Sequence, residues 1–237
     1  MDLNLRDKIV IVTGGAAGIG RATVARFENE GATVLAWDVT TEPKIDVTNR
    51  EEVEAAVNDV VAKYGRIDVL VNNAAVFSVV PMNRGRIESI DPEEWDRLMA
   101  VNLRGLFFCC RAVLPAMRRQ KSGKIVNIAS GTVLAGAPGR IHYVTSKAAT
   151  IGFTRTLARE VGGDNINVNC LAPGNTLSEE NPTAQMIKFR ESSVGLRALK
   201  RIQVPQDVVG AMLFLASPLS DFMTGQTVNV DGGISFL

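Results

Sequence analysis

Tyr143 and Lys147 stand four residues apart in a stretch that reads as helix, with Ser130 upstream of them. A helix brings residues i and i+4 onto one face, so the phenol and the ammonium point into the same small volume. A tyrosine ordinarily titrates near pH ~10. A unit positive charge at ~4 Å, in an effective dielectric of ~20, favours the phenolate by about 4 kcal/mol, or roughly three pKa units. The spacing therefore predicts a phenol that gives and takes a proton near neutrality. Alone, the pair is also what a half-buried ring beside a solvated amine looks like, so its meaning rests on the elements around it.

Those elements alternate. Lys8 to Thr13 is an uninterrupted β-branched run, as in a parallel strand buried on both faces. Arg21 to Glu30 has helical spacing and stops at Gly31, and Ala32 to Trp37 is a second strand, completing a βαβ unit. Arg50 to Tyr64 reads as helix, Val69 to Asn72 as strand, and Glu93 to Met117 as one or two helices behind an Asp91-Pro92 start. The order continues with strand Lys124 to Ala129, helix His142 to Val161, strand Asn165 to Leu171, helix Gln206 to Ala216 and strand Gln226 to Val230. The expectation is an α/β chain: a doubly wound parallel sheet of Rossmann type with helices on both faces. Two stretches break the rhythm, Phe77 to Ile90 and Pro173 to Ile202. Both follow strands, where ligands sit in open α/β sheets, and both are expected to shape a substrate pocket.

The 237 residues are 46% hydrophobic and only 5% aromatic, which suits aliphatic strands and alanine-rich helices in a soluble enzyme. No linker divides them, so a single domain over 1–237 is expected. With 26 basic and 25 acidic residues the net charge is +1, and electrostatics make no case for nucleic acid or an anionic membrane. The one local basic cluster, Arg118, Arg119, Lys121 and Lys124, reads as a helix end and a solvated loop. No run of ~18 apolar residues suggests a bilayer span, and the start Met1-Asp2 lacks the features of a signal peptide, so a cytoplasmic location is expected. Cys109, Cys110 and Cys170 have no metal-ligand spacing and read as reduced packing residues. His142 is the only histidine, and no metal is expected.

Thr13-Gly14-Gly15-Ala16-Ala17-Gly18-Ile19-Gly20 lies between the first strand and the first helix, where glycines let backbone approach a pyrophosphate and the helix N-terminus offers free N–H groups. Asp38 ends the second strand at close to the spacing expected of a ribose-binding carboxylate. Such a carboxylate accepts ribose hydroxyls and repels a 2′-phosphate, and no Lys or Arg stands at Gly15 to Ala17 or Val39 to Thr41. The cofactor is therefore expected to be NAD rather than NADP. The alternative for Asp38 is a turn residue after a strand.

In order, the Thr13–Gly20 turn, Asp46-Val47, Asn72-Asn73-Ala74, Asn102, Ser130, Tyr143-x-x-x-Lys147, Pro173-Gly174 and Asp231-Gly232-Gly233 resemble the short-chain dehydrogenase/reductase family over essentially the whole chain. The resemblance implies that Tyr143 is the catalytic acid/base and that Ser130 holds the substrate oxygen. It makes Lys147 lower the tyrosine pKa and bind the nicotinamide ribose, with Asn102 supporting a water between Lys147 and solvent. It places Gly14, Ala17, Gly18, Ile19 and Gly20 on the pyrophosphate, Asp46 and Val47 on the adenine, Asn73, Ala74 and Ala75 along the cofactor, and Pro173-Gly174 beside the nicotinamide. Three departures stand out. Ala75 replaces a usual glycine, Val39 to Ile45 is too short for the usual crossover helix, and the threonine after Pro-Gly is displaced, leaving Thr176 and Ser178 as alternatives for the carboxamide.

The expected reaction is hydride exchange between nicotinamide and a secondary alcohol or ketone. Two alternatives are an NADPH-dependent 3-oxoacyl-carrier-protein reductase, with the Arg118 to Lys124 cluster facing an acidic carrier, and an idle NAD-binding regulatory protein. Val76, Phe77, Thr132, Val133 and Leu134 would give the substrate an apolar setting, with Arg140 as a partner for an acidic group. His142 reads as a spectator. The resemblance also implies a homo-oligomer, tetramer or dimer, built on the helices around 102–117 and 143–161.

Overall fold

The computed structural model describes residues 2–77 and 82–236. Its centre is a six-stranded sheet in the order β2-β1-β3-β4-β5-β6, every pairing parallel. The strands are β1 (Ile9–Thr13), β2 (Thr33–Trp37), β3 (Val69–Asn72), β4 (Gly123–Ile128), β5 (Ile166–Pro173) and β6 (Thr227–Val230). β1 and β3 are buried at every residue, as uninterrupted apolar runs require when helices cover both faces. Alternate side chains serve opposite layers. Ile9 and Ile11 pack with helices α2 (Arg50–Tyr64), α4 (Leu106–Gln120) and α6 (Ile141–Val161), whereas Val10 and Val12 pack with α1 (Gly18–Asn29) and α8 (Pro205–Ala216). The chain reverses direction across the sheet between β1 and β3, which opens a crevice above their carboxyl ends.

Local chemistry sets the helix ends. The Asn49 side chain accepts from the N–H groups of Glu51 and Glu52 at the start of α2, and Gly65 ends that helix in the left-handed region at φ 73°. The Asp91 carboxylate accepts from Glu93 N at 2.9 Å, with Pro92 in the first turn of α3 (Pro92–Met99). The sequence reading of α2 and β3 coincides with the observed bounds. α1 begins three residues earlier than expected because Gly18 and Gly20 belong to its first turn rather than to the loop.

The expected helix or helices from Glu93 to Met117 form one continuous helical run, Pro92–Gln120, in which Ala100–Gly105 is wound as a π-helix between α3 and α4. By length and composition alone this run is long and apolar enough to cross a membrane, a correction to the expectation that no such stretch exists. Here Cys109, Cys110, Val113 and Met117 are part of the core beneath the sheet. Short helix α5 (Thr132–Ala135) and helix α7 (Ala184–Glu191) lie in segments whose sequence gave no periodic signal. Residues 78–81 of the Phe77 to Ile90 stretch lie outside the described residues. Residues 39–45 carry no helix, as their length required.

A buried polar chain ties sheet to helix. Asn72 Nδ2 donates to Asn127 Oδ1 at 2.8 Å, and Asn127 Nδ2 donates to Thr154 Oγ1 at 2.9 Å. Both Asn127 and Thr154 are fully buried. Removing the middle member leaves a buried donor and a buried acceptor unpaired, at about 1–3 kcal/mol apiece. Asn127→Ala should therefore lower the unfolding free energy obtained from urea titration by about 2–6 kcal/mol; a value within error of the wild type would show that the chain does not hold the layers together.

Candidate active site

The site begins at the turn after β1. The Thr13 hydroxyl oxygen accepts from both Asn73 N and Ala74 N at 3.0 Å, and Asn73 Nδ2 donates to the carbonyls of Thr13 (3.1 Å) and Gly14 (2.9 Å). The expectation that Asn73 lines the cofactor is thereby refined: its amide chiefly shapes the glycine turn. Gly14 has φ +64°, and a Cβ there would lie 2.8 Å from Ala74 Cα. A Cβ on Gly20 would lie 2.0 Å from the Gly14 carbonyl oxygen, so only glycine allows this approach.

No side chain caps α1 at Ala17, and its first turn holds no acidic residue. Its leading N–H groups and dipole are left facing the cleft lined by Gly14, Ala17, Gly18 and Ile19, the arrangement that receives a phosphate. Asp38 ends β2 at the same cleft. One of its carboxylate oxygens accepts from Ala16 N at 3.2 Å, the other from Thr40 N at 3.0 Å and Thr40 Oγ1 at 2.7 Å. These residues fit a pyrophosphate and an adjacent ribose. Asp46 and Val47 line the same end, but the Asp46 carboxylate is engaged locally by Thr48 N and Thr48 Oγ1, both at 2.8 Å.

The cleft measures about 780 Å³, within the range of sites that enclose a cofactor and a small substrate. Ser130, Tyr143 and Lys147 line its other half, all buried. The Ser130 oxygen accepts from Thr132 Oγ1 at 2.9 Å. Lys147 Nζ donates to the Ile128 carbonyl at 2.8 Å. Asn102, in the π-helical turn, does not bond Lys147; its Oδ1 accepts from Val76 N at 2.9 Å and its Nδ2 donates to Ser146 Oγ at 3.0 Å. A small cavity of about 10 Å³ lies between Asn102 and Lys147, the size of one water.

The electrostatics differ from the sequence expectation. Burial pushes the Tyr143 phenol above its ordinary pKa, opposed by its hydrogen bond with Ser130 and by the charges of Arg140 and Arg190, not by Lys147. Burial also pushes Lys147 down, to about 8, while Cys170 acts weakly the other way. A helical i, i+4 spacing promises proximity but ignores the desolvation that both groups undergo on this face.

A family model described as enoyl-(acyl carrier protein) reductase matches residues 14–235. The chain is 39% identical over 252 residues to a 3-oxoacyl-[acyl-carrier-protein] reductase of Thermotoga maritima, covering 98% of this chain and 99% of the relative. It is 40% identical over 254 residues to a probable galactose dehydrogenase of Rhizobium meliloti, covering 98% and 96%. The ligand-free aldohexose dehydrogenase of Thermoplasma acidophilum superposes with a TM-score of 0.90 at 33% identity, covering 99% of this chain and 96% of that one. The chain belongs to the short-chain dehydrogenase/reductase family. It is accordingly an oxidoreductase that uses a nicotinamide cofactor.

In this short-chain dehydrogenase/reductase the strap after β5 carries the four residues that the sequence reading named there and, beyond them, Asn175 and Phe189, which it did not single out. Pro173, Gly174, Thr176 and Ser178 all line the cleft. The Thr176 hydroxyl donates to Gly174 O at 3.1 Å, whereas Ser178 rests against Gly18, and Glu180 pairs with Arg21 on α1. Arg197 is 1% exposed and anchors the strap: its guanidinium donates to the carbonyls of Asp231 (3.1 Å), Arg201 (2.9 Å) and Asn175 (2.7 Å). Arg190 pairs with Glu179 and stacks near Phe77, whose ring centroid lies 4.9 Å from that of Tyr143. No periodic pattern marks these arginines; their burial depends on partners far along the chain.

The Lys147 shift has a thermodynamic signature. Below about pH 8 both folded and unfolded chains hold the Lys147 proton and the burial cost is fully present. Between about 8 and the ordinary 10.5 the unfolded chain still holds it and the folded chain does not, so stability rises with pH. At ~1.4 kcal/mol per pH unit the rise approaches about 3 kcal/mol. Urea titrations of wild type and Lys147→Met across that window should diverge by this amount; parallel curves would show that Lys147 is not depressed.

Proposed function

We propose that the protein is an NAD-dependent oxidoreductase of secondary alcohols and ketones, with Tyr143 as the acid/base. The observation that carries this reading is the convergence of buried Ser130, Tyr143 and Lys147 on one cleft with the uncapped helix turn and Asp38. The bound nicotinamide supplies or accepts the hydride. Ser130 orients the substrate oxygen, and Tyr143 receives the alcohol proton on oxidation and returns it on reduction. Lys147, fixed on the Ile128 carbonyl, holds the nicotinamide ribose, while the Ser130 hydroxyl and the charges of Arg140 and Arg190 favour the phenolate as it forms. The Asn102 cavity gives one water a place in the proton path.

The preference for NAD is supported by steric and electrostatic features together. A Cβ at position 15 would lie 2.9 Å from Ala36 Cβ, which leaves no room there for a long basic side chain. Among the described residues, the cations lining the cleft are Arg97, Arg140 and Lys147, and Asp38 stands at the end of β2 with none of them as its ion-pair partner. A second reading, reduction of a 3-oxoacyl group on a carrier protein, is favoured by the names of several relatives. Against it, Arg118 and Lys121 pair with Asp164, and Lys124 with Asp221, which lessens their availability to an acidic carrier.

Two measurements test the reading. With a panel of secondary alcohols, kcat/KM with NAD should exceed that with NADP at least ~10-fold, as expected when a carboxylate meets the 2′-phosphate; a clear preference for NADP(H) would favour the carrier-protein reaction. Tyr143→Phe should lower kcat ~100-fold or more while NADH binding, followed by fluorescence, stays within a factor of about two. Comparable turnover by the variant would remove Tyr143 from the proton step.

A further inference from the structure

Next to Tyr143 the cleft wall holds more positive charge than its own carboxylates balance. Arg140 precedes Tyr143 by one helical turn and lines the cleft. Its guanidinium carbon sits 5.2 Å from the centroid of the Phe189 ring; those of Arg84 and Arg190 sit 4.7 Å and 5.3 Å from the same ring. Three guanidinium groups thus surround one aromatic side chain that itself lines the cleft. Glu179 pairs with Arg190, and the side-chain Oδ1 of Asn175 accepts from it as well. Among the described residues, neither Arg84 nor Arg140 makes a salt bridge, and Arg140 Nε is buried without a hydrogen-bond partner. Burial disfavours the charge on Arg140, and Arg84 and Arg190 add to that, with Tyr143 acting the other way.

Like charges gathered at a partly dry wall are unfavourable unless an anion joins them. A guanidinium held over a ring spends none of its N–H groups on that contact, and a pair of them matches the two oxygens of a carboxylate or phosphate. We propose that Arg140, assisted by Arg84, is the seat for an anionic group on the substrate, so that the preferred substrate is an alcohol or ketone bearing a carboxylate or a phosphate monoester. This rests on the oxidoreductase reading and narrows it. Phe77 and Phe189 flank the path from the phenol to the guanidinium groups and give the intervening carbons an apolar setting. Arg190, held by Glu179 and Asn175, keeps Phe189 in place and is a positioning residue.

The test uses a ladder of oxo acids with one to four methylenes between ketone and carboxylate, each paired with its neutral amide, and dihydroxyacetone phosphate paired with dihydroxyacetone. Affinity for the NADH-loaded protein is measured by calorimetry and kcat/KM by NADH oxidation. At least one anion should bind and turn over ~10-fold or more better than its neutral partner, as expected for a charge-assisted bidentate contact. The type of anion preferred separates carboxylate from phosphate. Arg140→Gln should bring that ratio to about one, chiefly through KM, Arg140→Lys should restore part of it, and Arg84→Gln, at an exposed position, should reduce it severalfold. Equal handling of every pair by the wild type, or a preference that survives Arg140→Gln combined with Arg84→Gln, overturns the proposal. Reduction of the neutral ketones without anion preference would sink this inference alone. Absence of turnover with any member, alongside selective anion binding lost in Arg140→Gln, would sink the proposed ketone and secondary-alcohol chemistry and leave the anion seat standing.

Discussion

The inward face of α6 is polar, and the geometry of the site depends on that. Ser146, Thr150 and Thr154 are fully buried along it, and each hydroxyl donates to a carbonyl one turn back. Thr154 also accepts from Asn127 on β4, and Ser146 accepts from Asn102 in the π-helical turn. Small side chains that satisfy their own hydrogen bonds let the helix lie close to β4 and β5 without leaving unpaired donors. Tyr143 and Lys147 ride on this helix. Their position over the carboxyl ends of the strands is therefore fixed by the same contacts that close the core, and the rigidity of the site comes from the scaffold rather than from the site's own residues.

The same closeness explains the charge state of the pair. Two groups that each need water to ionise have been placed where little water reaches, and burial moves the phenol up and the ammonium down. The counterweights are unequal in kind: a hydroxyl at Ser130, and guanidinium charges arriving from the loop between β4 and α6 and from the strap after β5. The phenol is thus sensitive to segments that belong to substrate recognition as much as to its own helix.

Much of this was legible in the sequence, and the exceptions share a cause. Unbroken runs such as Lys8 to Thr13 and Val69 to Asn72 announce strands covered on both faces, and Asn49, Asp91-Pro92 and Gly65 announce helix ends, because each acts over a few residues. The glycine turn and Asp38 were readable for the same reason. What could not be read is long-range. Asn102 bonding Val76 and Ser146, the Arg190–Glu179 pair, and Arg197 bridging Asp231, Arg201 and Asn175 all depend on which distant segments meet. The direction of the Tyr143 shift belongs with these, since four-residue spacing encodes proximity but not dehydration. Helices α5 and α7 escaped because they are short and owe their form to what they rest on.

The strap after β5 touches the molecule at two places that would otherwise be independent. Ser178 sits on Gly18 and Glu180 pairs with Arg21, over the phosphate turn, while Phe189 and Arg190 on the same strap form the wall beside Tyr143. One continuous segment thus covers the phosphate turn with its near end and walls the neighbourhood of Tyr143 with its far end. The two halves of the cleft therefore share one wall built from a single covalent segment, so that a change of sequence on the strap bears on both at once.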